Sequence, residues 1–330
     1  MDLRSCFLGC FYGGAIGSSI GRLKQEGQPW NEEDRLRLTG ITQSTLFAAE
    51  GLALSKSRIL DKIKSDVFYA YFRWLRPPGY TLDERFKRKC ALGWLRRLPE
   101  LRAGKNVDAD TKRVLMGKVC GSIQKPEMYS DRWEGMARVA PVGLYIGRAN
   151  AFKLGAMCAA ITHGHPNSYL AAGTYAHIIA CIADGMGTKE AVMDALTILK
   201  QNEGRYGSCR SYIYDAMAFA EKYDNVCSAE GHGSAAYEAL AIGIYYALRY
   251  KDSYRQGVCA SISHDGNIAA VGTITGSILG ASLGIGGEKG IHGEWVGKLE
   301  LLPVVVKTAD CLYNSRLEIE RPKLQGYHVF

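Results

Sequence analysis

The sequence predicts one compact all-α domain, on three observations. Apolar residues recur at helical spacing through most of the chain. No run alternates apolar and polar residues for long enough to make a strand, and no Asn-Gly pair marks a hairpin. Glycine reaches 38 residues and clusters inside apolar runs such as Gly13-Gly14-Ala15-Ile16-Gly17, where small side chains let helices pack closely. With 330 residues and 47% hydrophobic content, the chain can bury a large core.

The elements follow in order. The opening MDLRSCFLGCFYGGAIG has an apolar run broken by glycines, and it reads as the first core helix, not a targeting segment. Thr42 to Ser55 places Leu46, Phe47, Gly51 and Leu54 on one helical face. Phe152 to Ile161, Ser168 to Asp184, Lys189 to Lys200 and Ser234 to Arg249 carry the same period. Val271 to Gly284 is apolar all round and predicts a helix buried on every side. Breaks fall at Pro77-Pro78-Gly79, Gly185-Met186-Gly187, Glu203-Gly204 and Ile285-Gly286-Gly287. The domain is expected to span residues 1–315. A tail follows from Arg316, and its aromatic end suits packing back on the body.

The net charge is +8, and much of the excess lies between Arg85 and Arg113. That stretch reads as a solvated helical face with connecting loops. No nucleic-acid module accompanies it, so a nucleic-acid partner is not expected. No run of about 18 apolar residues suggests a membrane span. The ten cysteines are scattered without a CxxC pair, which suits a reducing cytosol better than a disulfide framework. A cytoplasmic protein is the expectation, and its oligomeric state is left open.

Five blocks carry the chemistry. They are Gly13 to Gly21 (GGAIGSSIG), Leu38 to Leu52 (LTGITQSTLFAAEGL), Glu134 to Leu144 (EGMARVAPVGL), Thr162 to Pro166 (THGHP) and Ser263 to Ala281 (SHDGNIAAVGTITGSILGA). In this order and at this spacing they resemble the ADP-ribosylglycohydrolase family, over residues about 5 to 305. The resemblance implies a single-domain orthogonal multi-helix bundle, with a ligand cleft where the blocks converge. It also implies two magnesium ions in that cleft, held by the family's TDDT and GDSDS motifs. Hard cations of that kind need carboxylate oxygens.

This chain departs from both motifs. Thr39 keeps the family's threonine, but Gly40 and Ile41 replace the two aspartates after it. Asn267 and Ala269 replace the aspartates of GDSDS, and Ala270 replaces the hydroxyl ligand that follows. Ser18 stands at an aspartate of the opening helix, and strict spacing sets Gln25 at the family's glutamate, one residue before Glu26. No metal or other cofactor is therefore expected.

Groups suited to other chemistry remain. His264, Asp265 and Glu26 are the candidate acids and bases, since a histidine titrates near neutrality and a buried carboxyl is tuned upward. Thr39, Thr42, Gln43, Trp133, Glu134, Arg138 and Asn267 are the candidate ligand-binding groups; Trp133 offers a flat face for stacking. The expected partner is a small molecule of ADP-ribose-like kind. Three readings stay open: a repurposed metal-independent enzyme (N-glycosidic cleavage, a lyase step or a cyclisation), a pseudo-hydrolase that binds ADP-ribose or an ADP-ribosylated partner, and a structural protein.

Overall fold

A computed structural model describes residues 2–102, 104–222 and 232–320. Among them are sixteen α-helices, two 3-10 turns and three isolated β-bridges, with no sheet. The all-α expectation holds.

The centre is an antiparallel helix pair, α1 (Leu3–Gln25) and α14 (Ile268–Leu283). Gly9, Gly13 and Gly17 recur every fourth residue, so they share one face of α1. They meet Gly280, Gly276 and Gly272 of α14, and a Cβ on any of the six would overlap the backbone carbonyl opposite. The two backbones therefore touch along three turns. Tyr254, buried on α13 (Tyr254–Ser261), donates its hydroxyl to Gly13 O at 2.9 Å. This packing sets Asn267, at the start of α14, beside the Ser18–Gly21 end of α1.

Around that axis, α2 (Gly40–Leu54) packs on α3 (Leu60–Leu75), and α9 (Pro166–Ala183) packs between α8 (Arg148–Ala159) and α10 (Thr188–Asn202). One buried carboxylate ties the first group together. Glu50 of α2 accepts from Arg73 of α3 at 2.6 and 3.0 Å, and from the Trp94 and Leu95 amides at 2.6 and 2.8 Å. A fully partnered charge of this kind is tolerated inside, whereas either half alone is costly. Short helices α4 (Glu84–Ala91), α5 (Ala109–Met116), α6 (Glu134–Ala137) and α7 (Ala140–Tyr145) fill the side above α2 and α3. Helix α11 (Ser208–Lys222) packs on α12 (Ala236–Arg249), and α15 (Gly293–Gly297) leads to α16 (Leu302–Glu320).

The C-terminal boundary differs from the expectation. Helix α16 runs through Arg316 to Glu320. Arg316 is buried because its charge is compensated: it donates to Asp184 at 2.6 Å, to Glu320 at 2.7 Å and to Leu144 O at 3.1 Å. The remainder of the expected tail, residues 321–330, lies outside the described residues. Every described cysteine is free, and no helix among the described residues is long and apolar enough to cross a membrane.

Candidate functional site

The C-terminal end of α1 and the starts of α2, α6 and α14, which carry four of the five sequence blocks, converge on a cleft of about 700 Å³. Ser18, Arg22 and Gln25 of α1 form one wall, and Thr39 to Ile41 with Asn267 and Ala269 form the floor. Asp108, Asp110, Arg132, Trp133, Glu134 and Arg138 close the other side. Five of the seven candidate ligand-binding residues therefore line one cavity. The other two sit behind it. Thr42 is buried against the Thr39 hydroxyl at 3.2 Å. Gln43 is buried too, and its Oε1 accepts from Trp74 Nε1 at 3.1 Å and the Lys105 amide at 3.3 Å, bracing two walls.

The floor does not fit the family's metal pair. A Cβ at Gly40 would overlap the carbonyl oxygen of Lys105, so this backbone leaves no room for a side chain where the first aspartate of TDDT stands. Thr39 caps α2 by accepting from the Thr42 amide at 3.3 Å, and its hydroxyl also bonds Ser18 Oγ at 2.6 Å. Asn267 caps α14, accepting from the Ala270 amide at 3.1 Å. The groups at these helix starts satisfy orphan backbone donors and one another. None of them offers a charged oxygen.

Negative charge instead gathers on the opposite wall. Asp108 caps α5, accepting from the Thr111 amide at 2.7 Å, and its Oδ1 lies 3.7 Å from Nε2 of His163. Donor atoms of Asp108, Asp110 and His163 all fall within 4.8 Å of one another. Glu134 accepts both Arg132 bonds on one oxygen, Oε1, at 2.7 and 3.2 Å; its Oε2 is buried without a partner. Arg138 is buried, stacks over the Tyr71 ring at 4.2 Å, and donates to Thr162 and Thr111.

Two of the three carboxyl groups of this wall are tuned in opposite directions. Burial pushes Glu134 upward, only partly opposed by Arg132, and the Asp108 charge adds to the rise. Burial alone would raise Asp108 as well, but His163, the Thr111 amide and Arg138 outweigh it and hold the group below the usual carboxylate range. His163 is fully buried, which drives its ring down to about 4, so it is neutral near pH 7. A carboxyl pair split in this way is the usual basis for assigning an acid and a base.

The candidate acids and bases from the sequence are placed elsewhere. His264 packs near Tyr246, ring centroids 6.2 Å apart, with Nε2 buried and unpartnered; it is not part of the cleft wall. Burial lowers its pKa, with Asp265 opposing. Asp265 is exposed on the turn before α14 and also lies off the cleft. Glu26 pairs with Arg22 at 2.6 Å and lines a second groove, of about 860 Å³, which shares Arg22, Thr39 and Asn106 with the cleft. The sequence reading missed Asp108 and Asp110. They fall in the basic stretch taken as a solvated face, and an aspartate three residues before a threonine reads only as a helix cap.

Comparison with known proteins bears on the fold and the family. The family model described as ADP-ribosylglycohydrolase matches residues 1–322. A search of curated proteins finds no match. Among solved structures, an "ADP-ribosylglycohydrolase-related protein complex" is similar with a TM-score of 0.64 and 20% identity, covering 96% of this chain and 99% of that one. That likeness shows the fold, while the family match over nearly the whole chain shows the lineage: the protein belongs to the ADP-ribosylglycohydrolase family.

Proposed function

We propose that this chain is a metal-independent enzyme that hydrolyses a ribosyl bond in an ADP-ribose-like small molecule. The observation that carries the reading is the split carboxyl pair on the cleft wall, opposite a floor without acidic side chains. In this scheme protonated Glu134 is the general acid. Its proton passes to the leaving atom as the bond to the anomeric carbon breaks. Ionised Asp108 is the general base, taking a proton from the water whose oxygen bonds to that carbon. Exchange with solvent then restores both groups. Trp133 lines the cleft and offers a flat face to a base, and Arg22 and Arg132 offer charge to phosphates. On these grounds Glu134 and Asp108 displace His264, Asp265 and Glu26 as the preferred acid and base.

A second reading has one specific observation in its favour. Arg132 already holds Glu134 in an ion pair, as suits a carboxylate that only binds. In that case the cleft is a receptor for ADP-ribose without turnover.

One experiment separates the two. The protein is incubated with N- and O-linked ADP-ribosyl compounds in excess chelator, and products are read by mass spectrometry. Release of ADP-ribose that vanishes in Glu134→Gln supports the enzyme. Calorimetric binding of ADP-ribose without any release supports the receptor, and release only after magnesium is added contradicts both.

A further inference from the structure

Helices α9 and α10 bring three ligand-type side chains together outside the cleft. His177 and Cys181 are four residues apart on α9, hence on one face, and both are buried. Asp194 of α10 faces them, with Oδ2 2.6 Å from His177 Nε2 and 3.5 Å from Cys181 Sγ. One donor atom from each residue lies within 4.8 Å of the other two. Asp194 keeps 37% of its side chain exposed, so the cluster opens to solvent on that side.

We propose that His177, Cys181 and Asp194 form a zinc site, with water as the fourth ligand. A thiolate and an imidazole select a borderline-soft ion such as zinc over magnesium or calcium. One thiolate, one carboxylate and a neutral imidazole balance the two positive charges, as a buried site requires. Tetrahedral zinc with bonds of about 2.0–2.3 Å sets its ligand atoms roughly 3.3–3.7 Å apart. The cysteine–aspartate distance fits already, and turning the half-exposed Asp194 opens its distance to His177.

The chemistry of the metal-free cluster is consistent with this. Burial, with Asp194 adding to it, pushes the Cys181 thiol up to about 12, which argues against a nucleophile. The His177 bond holds Asp194 below the usual carboxylate range. Near neutral pH the Cys181 group is therefore a thiol. On zinc entry the S–H bond breaks, a Zn–S bond forms, and the proton leaves to the buffer. Arg148 is the nearby cation that opposes the metal, and its charge is shared with Asp184 through a 3.0 Å bond. His177 Nδ1 has no acceptor, so the affinity is expected to fall short of a fully braced structural site.

The test uses the full chain freed of metal by chelation, with cobalt(II) as a coloured probe that zinc displaces. One equivalent should bind with a thiolate-to-cobalt charge-transfer band and with release of the Cys181 proton. Cys181→Ala should abolish the band. Asp194→Asn should weaken zinc about tenfold or more. Cys209→Ala, at a buried cysteine on α11, should change neither. Absence of the band at millimolar cobalt, or its persistence in Cys181→Ala, overturns the proposal. Circular dichroism checks the fold; should Cys181→Ala unfold, unchanged zinc affinity in Asp194→Asn overturns it equally.

Discussion

Arg132 places both of its hydrogen bonds on a single oxygen of Glu134, Oε1, and so leaves Oε2 of that buried carboxyl without a partner. An unpartnered acceptor inside a protein is expensive when charged and much less so when it carries a proton. Burial therefore pushes Glu134 toward its protonated form against the Arg132 ion pair, while Asp108 on the same wall is held toward its ionised form. If these two run the reaction, Glu134→Gln should lower turnover by about 10²- to 10⁴-fold with little change in melting temperature. Asp108→Asn should do the same, because asparagine keeps the cap of α5. The rate of the native protein should fall as pH rises through the elevated Glu134 pKa, where the acid loses its proton. A rate that climbs steadily through that range would contradict the assignment.

His163 makes stability depend on pH. Its folded pKa of about 4 lies below the unfolded value of 6.5, so its contribution is complete above pH 6.5 and is lost as pH falls toward 4. The depressed Asp108 acts in the same direction at lower pH. The His163 part amounts to about 3 kcal/mol, as an order of magnitude. Denaturant unfolding at pH 7.5 and pH 5 should show a marked loss in the native protein. A smaller loss is expected in His163→Gln, whatever its absolute stability.

The α1–α14 contact should resist a single added methyl group. Gly13→Ala directs a Cβ into the Gly276 carbonyl, and Gly276→Ala directs one into Gly13. Each should cost about 1–3 kcal/mol or more, because backbone cannot move aside as a flexible side chain can. Gly27→Asn is the control. Its glycine has φ +71° and no atom within 4 Å of the Cβ position, a conformation that asparagine tolerates, so it should be close to neutral. Equal melting temperatures for Gly13→Ala and Gly27→Asn would show that the backbones are not in contact.

Reintroducing the family's aspartate should fail. Gly40→Asp meets the Lys105 carbonyl, so its melting temperature should drop by several degrees. Magnesium should not recover the loss, since an ion that stabilises must bind the folded state. Magnesium-dependent recovery would show that the loop at Lys105 yields and that the floor still accepts a cation.

The sequence carried the fold because its signals there are local or strongly patterned. The glycines at positions 9, 13 and 17 and at 272, 276 and 280 sit in apolar helical runs, and four of the five blocks mark segments that converge on the cleft. It also carried the bare floor, since Gly40, Ile41, Asn267, Ala269 and Ala270 can be read one position at a time. The acidic wall was hidden. Asp108 and Glu134 are far apart in sequence, and only tertiary packing brings Asp108 to a wall with Glu134. His264 falls off the cleft wall for the opposite reason. Adjacency to the α14 motif suggested the cleft, but the Asn267 amide bonds His232 O at 2.8 Å, and the turn before it leaves His264 beside Tyr246.

The central claim is that the helix starts at Thr39 and Asn267 no longer hold a pair of divalent cations. Anomalous scattering from crystals grown in manganese(II), which substitutes for magnesium, tests it most directly. The expected map has no anomalous peak between those two helix starts. Two peaks there, about 3.5–4 Å apart as in two-metal centres, would contradict it.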